Sequence, residues 1–227
     1  MVESHGGASS ARQRIGIGWP LAAGVALGIA SFCADLVDGT LRTVLQFVAS
    51  TGFAWGCAAF VAAFPARTRR GAAAAAVIVL CTATGCYYWL NLPGGFRPGG
   101  EFGPLFRAFA YWMLLSIAGG ALLGPLAHAV RTDKARRAAI AAGVACGLLS
   151  GAGIAIVTSL LAAGNYGRTG LTEGMLQAAA GIAVATWSFA RRREARGWTV
   201  YAIVAVTACT VGALAWSAVE SVPVMGF

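Results

Sequence analysis

Seven stretches of this chain contain no aspartate, glutamate, lysine or arginine: residues 15–34, 43–66, 71–96, 108–130, 138–167, 174–190 and 197–219. A hydrocarbon core of about 30 Å is crossed by about 20 apolar residues of α-helix, so six of the stretches are long enough and 174–190 is just long enough. Backbone groups without partners are costly in lipid, which leaves helices or a closed barrel as spanning structures. Continuous apolar runs without period-2 alternation exclude the barrel. The expected fold is therefore all-α: a polytopic transmembrane helical bundle with seven spans, at about 15–34, 43–64, 72–92, 106–130, 138–162, 174–190 and 199–219. Composition agrees, since 11% of the residues are charged where a soluble domain has about a quarter.

The remaining charges give an orientation. Arg12 and Arg14 precede the first span; Arg67, Arg69 and Arg70 lie between the second and third; Arg131, Lys134, Arg136 and Arg137 follow the fourth; Arg191, Arg192, Arg193 and Arg196 follow the sixth. If seven helices alternate, these all lie on one side, and only Arg42, Arg97, Arg107 and Arg168 lie on the other. Basic residues accumulate in cytoplasmic loops, so the amino terminus is expected inside and the carboxyl terminus outside. The localisation that follows is a plasma (inner) membrane, crossed many times. The net charge of +9 is then a topology signal that also meets anionic headgroups. Nucleic acid is not an expected partner, because no basic cluster accompanies a recognition fold. The first span lacks a small-x-small cleavage site and reads as a retained helix. Residues 1–14 read as a disordered cytoplasmic arm, and 220–227 as a short outer tail.

The span at 174–190 is the shortest. If it only lay at the interface, the carboxyl terminus would be inside, and the cluster at 191–193 would lose its topological explanation.

Glycines mark where helices approach. Gly24 and Gly28 lie four apart, as do Gly120 and Gly124; Gly143, Gly147 and Gly151 put three glycines on one face of the fifth helix. Such faces let backbones pack directly, against another helix of the chain or against a second copy. Pro125 is expected to bend the fourth helix. Cys33, Cys57, Cys81, Cys86, Cys146 and Cys209 all fall in spans and read as small apolar packing residues. Cys33 and Cys86, both near outer helix ends, have the potential to pair.

The most chemically varied segment runs from Cys86 to Trp112. Tyr87, Tyr88 and Trp89 end the third span, a Gly/Pro-rich connection carries Arg97 and Glu101, and Arg107 and Trp112 open the fourth. Tyrosine and tryptophan suit the membrane–water boundary. Asp35 and Asp38 end the first helix at its negative pole, and Arg107 starts the fourth at its positive pole, placements that need compensation. The candidate outer-face site is Asp35, Asp38, Tyr87, Tyr88, Trp89, Arg97, Glu101, Arg107 and Trp112. It would hold either an Asp35–Arg107 ion pair or an anion between Arg97 and Arg107. The plainer reading has Arg107 reaching the headgroups and Asp38 serving as a turn residue before Gly39.

Enzyme chemistry finds little support. His5 lies in the arm and His128 at a helix end; Ser150 has no evident base; no metal-ligand cluster, Walker motif or dinucleotide fingerprint occurs. No catalytic residue, metal or cofactor is expected. No span carries a central charge of the kind an ion-coupled pump uses.

Trp55 with its following small residues, the Tyr87-Tyr88 pair, and Tyr111-Trp112 leading to Gly119-Gly120-Ala121-Leu122-Leu123-Gly124-Pro125 resemble a family of small bacterial polytopic membrane proteins of unknown function. The resemblance covers about the first two-thirds of the chain and implies a bacterial inner-membrane protein without an established activity. The expected function is a non-enzymatic membrane component acting through helix packing, as a homo-oligomer or with a membrane-protein partner in the lipid bilayer. The alternative is a small-solute or lipid-related transporter with a site around Arg97, Arg107 and Tyr87, Tyr88 and Trp89. An intramembrane enzyme is the remote third reading.

Overall fold

The computed structural model describes residues 9–92, 102–164, 168–192 and 197–221. Among them the structure is helical, without strands: α1 (Ser9–Leu36), α2 (Gly39–Leu45), a π-helical turn (Gln46–Ser50), α3 (Gly52–Ala63), α4 (Arg69–Leu90), α5 (Phe102–Thr132), α6 (Ala135–Ala162), α7 (Arg168–Ala190) and α8 (Trp198–Glu220). Five helices are long and apolar enough to cross a membrane: Gly18–Leu36 of α1, then α4, α5, α6 and α8. The pair Gly39–Ser50 and Gly52–Ala63 makes a sixth if taken as one bent span. The helix of the expected sixth span forms as α7, with 23 residues, but it is not one of those five. α1 starts at Ser9, inside the segment read as an arm, and α5 continues unbroken past Pro125.

The expected continuous second helix is instead broken. Its two halves meet at 47° around Thr51, whose backbone is extended (φ −95°, ψ 150°). The break costs Ala49 O its regular helical donor, and two neighbours replace it: Ser31 Oγ at 2.5 Å and Trp55 Nε1 at 2.6 Å. Thr51 caps the new helix by accepting from Ala54 N at 3.1 Å. Ser50-Thr51-Gly52 can break a helix because hydroxyl side chains bond the nearby backbone; Thr51 Oγ1 also donates to Phe47 O at 3.0 Å.

Helix ends gather at two poles. The aromatic pole holds the ends of α1, α4 and α8 and the start of α5, tied by Tyr87 to Asp35 and by Tyr111 Oη to Val219 O at 2.9 Å. The basic pole holds the starts of α4 and α6 and the ends of α3, α5 and α7. There Arg131 Nη2 donates to Ala66 O at 2.6 Å, and Arg192 Nη1 to Val130 O at 3.1 Å.

Glycine places the helices. α4 is gripped on two sides: a Cβ on Gly24 or Gly28 of α1 would come 2.6 Å from Val79 O or Ala83 O, and one on Gly120 of α5 would come 2.7 Å from the Val77 backbone. Gly124 meets Ala72 and Ala73 as closely. Gly143, Gly147 and Gly151 of α6 face Val204, Ala208 and Gly212 of α8, so that stripe is used inside the chain. α6 packs against α7 on another side, with Gly153 against Gly174 and Gly181 against Leu149. α6 is the most enclosed helix, burying Ala145, Cys146, Leu149 and Ser150 almost completely.

Candidate functional site

The aromatic pole is built from the last turns of α1 and α4 and the first of α5. Asp35 comes up from α1 and Tyr87 sits one turn before the end of α4, whose last residues are held by Asn91 Nδ2 donating to Tyr87 O at 2.9 Å. Tyr87 Oη donates to Asp35 Oδ2 at 2.7 Å. A carboxylate at the negative end of a helix thereby gains a donor of the charge-assisted kind.

That contact corrects the expected ion pair. Arg107 is exposed, and no ion pair joins it to Asp35; Asp35 is met by a phenol one helix away. Asp38 is the residue before α2, at the turn expected for it, with Gly39 at φ 70°. It lies 4.0 Å from Arg42 in an exposed i,i+4 pair, an arrangement worth little. Arg97 and Glu101 lie outside the described residues.

The aromatic residues separate into two groups. Tyr88 meets Tyr87 edge-on at 5.2 Å and Phe109 at 5.7 Å. Tyr88 and Phe109, with Trp89, Leu92, Phe102 and Phe106, border an apolar cavity of about 280 Å³. Trp89 is 74% exposed, as a boundary residue would be. Trp112 belongs elsewhere: it lies 6.4 Å from Trp216 of α8 and 5.7 Å from Tyr111. Of the expected site residues that are described, Asp35 and Tyr87 form a hydrogen-bonded joint, Tyr88 and Trp89 border an aromatic cavity, Trp112 belongs to a separate α5–α8 contact, and Asp38 and Arg107 are exposed.

The described thiols, Ser150 and His128 have the following neighbours. Cys33 and Cys86 are free thiols. Cys146 and Cys209 approach instead, at 3.9 Å, with Ser150 Oγ 3.2 Å from Cys209 Sγ. Ser150 donates to Cys146 O at 2.6 Å, in keeping with a packing role. His128 Nδ1 lies 3.3 Å from Ala66 O at the basic pole. Among the described residues no group of three or more His, Cys, Asp or Glu is placed to hold a metal ion.

A family described as a family of unknown function (DUF6518) matches residues 8–222. The chain belongs to that family. No curated protein and no solved structure matches it. Membership in DUF6518 agrees with the resemblance read from Trp55, Tyr87-Tyr88 and Tyr111–Pro125, and extends it over nearly the whole chain.

Sequence reasoning missed one charged contact of this DUF6518 chain. At the basic pole Arg69 Nη2 of α4 donates to Asp133 Oδ2, beyond the end of α5. A signal was present: Asp133 is the one acid among eight charged residues in 66–70 and 131–137. It also missed the donors for Ala49 O. Ser31 lies on α1 and Trp55 on α3, and nothing in the spacing of hydrophobic residues pairs them with that carbonyl.

Proposed function

We propose that the protein is a non-enzymatic component of a bacterial inner membrane that acts through what it holds at its faces, a membrane-protein partner or a second copy of itself. The observation that carries this reading is the closed interior. The glycine stripes of α1, α5 and α6 are filled by neighbouring helices of the same chain, and among the described residues every buried side-chain nitrogen and oxygen has a hydrogen-bond partner. A bundle whose buried polar groups are satisfied internally has little inside to offer a solute, so its contacts are made from the lipid-facing surface. The Gly143, Gly147 and Gly151 face is occupied by α8; assembly uses a different surface.

In this reading seven segments cross, counting the bent pair and α7. α7 runs antiparallel along α6, from Gly174 beside Gly153 to Gly181 beside Leu149, and just beyond its end Arg192 reaches the carbonyl of Val130 at the opposite pole. A 23-residue helix is about 34 Å long at 1.5 Å per residue, enough for the hydrocarbon core. The basic pole then faces the cytoplasm and the aromatic pole the outside.

The test is native mass spectrometry after gentle extraction. A defined oligomer or a protein present in fixed ratio supports the reading. A monomer alone, together with solute uptake by proteoliposomes, overturns it. That outcome would favour the second reading, a carrier of small apolar or lipid-like molecules, for which the aromatic cavity of about 280 Å³ speaks.

A further inference from the structure

Going beyond assembly, we infer that the basic pole carries a binding site for an anionic phospholipid, with the phosphate at Arg69 and Arg137 and the start of an acyl chain in the groove beneath them. A cavity of about 300 Å³ opens there between α4, α5 and α6. Its mouth is formed by Arg69, Asp133 and Arg137, and its apolar wall by Pro125, Leu126, Ala129 and Ile140. The order of these residues along the helices gives the groove its direction. Leu126 and Ala129 lie on one face of α5 and Asp133 follows in the same row just beyond its end, at i, i+3 and i+7, and Arg137 and Ile140 are three apart on α6, so each wall passes from apolar to charged toward the same pole. The eight steps from Pro125 to Asp133 cover about 12 Å. Over that distance the surroundings change from hydrocarbon to guanidinium, the polarity profile of a phospholipid from upper acyl chain to phosphate.

The sign of the charge selects an anionic headgroup. Arg67, Arg69, Arg70, Arg131, Lys134, Arg136 and Arg137 surround the mouth in sequence, against Asp133 alone, and basic pockets between membrane helices are where acidic lipids bind. Asp133 acts as a positioning residue. Its side chain is 16% exposed and that of Arg69 57%, so a half-hidden carboxylate fixes a guanidinium at the rim. The guanidinium has five N–H donors in a fork; Asp133 engages one nitrogen, and the fork remains able to receive a phosphate oxygen. A free phosphate would meet the same mouth but leave the groove empty. Ile140, 40% exposed, gives the apolar wall its outer edge and favours the lipid.

The experiment titrates the full-length protein, in phosphatidylcholine nanodiscs, with phosphatidylglycerol and counts bound lipid by native mass spectrometry. Wild type is expected to retain one phosphatidylglycerol. Arg69→Gln with Arg137→Gln is expected to weaken that binding about tenfold or more. Arg67→Gln with Arg136→Gln removes the same charge away from the cavity and is expected to change it by about twofold or less. Equal losses in the two variants would mean diffuse attraction to the whole basic surface and would overturn the site, as would no loss in the first. Displacement of the lipid by millimolar inorganic phosphate would overturn the lipid as occupant. If the first variant does not fold, the unaltered chain still decides. Phosphatidylglycerol with a photoreactive group near the head of its acyl chain is expected to label residues 125–140, and label spread over all helices defeats the proposal.

Discussion

Asp35 and Arg107 show how far single residues can be read. That a carboxylate at the end of α1 needs a partner follows from the helix dipole and is legible in the sequence. Which partner it takes depends on how α1 and α4 are rotated about their axes, and the choice fell on Tyr87 Oη at 2.7 Å. A hydrogen bond to a charged group contributes about 1.5–3 kcal/mol when enclosed; Asp35 is only partly buried, so the lower end applies. Tyr87→Phe is expected to lower stability by about 1.5 kcal/mol, measured as a shift in the thermal unfolding of the detergent-solubilised protein. Arg107→Ala should leave the transition where it is. The charge exchange Asp35→Arg with Arg107→Asp should then be no more stable than either single variant, whereas a rescue would restore the ion pair.

At the scale of elements, charge-free length located the helices because the bilayer sets a single requirement, about 20 apolar residues. The same criterion is blind to a break. Residues 43–66 are equally apolar whether the helix is continuous or bent by 47°, and the bend depends on which neighbours supply donors to Ala49 O. The Ser50-Thr51-Gly52 run was the available sign. Glycine spacing marks faces that a neighbouring backbone can approach, but a spacing within one helix names no partner; in the structure α8 lies against that face of α6. Substitution can measure that contact. Gly147→Ala would drive a methyl into the backbone of Ala208, and overpacking of this kind costs about 1–3 kcal/mol. Gly85→Ala meets nothing within 4 Å and should be neutral or slightly stabilising, since alanine is the better helix former. Equal melting temperatures for the two variants would show that the α6–α8 contact is looser than the backbone separation implies.

For the whole molecule, orientation rests on the basic residues and on α7. Reporters that are active only in the cytoplasm should work when inserted near residues 67 and 134, and fail when fused after Ser221. Activity at the carboxyl terminus would mean that α7 does not cross. The position of α6 has a further consequence for how the bundle is made. α1 to α5 already pack with one another, α4 lying between glycines of α1 and α5, but the glycine stripe of α6 meets its neighbour only when residues 198–220 have been synthesised. Until then the stripe is a slot one helix wide, open to lipid or to any other narrow helix in the membrane. Closure of that slot therefore waits for α8, which acts as its wedge.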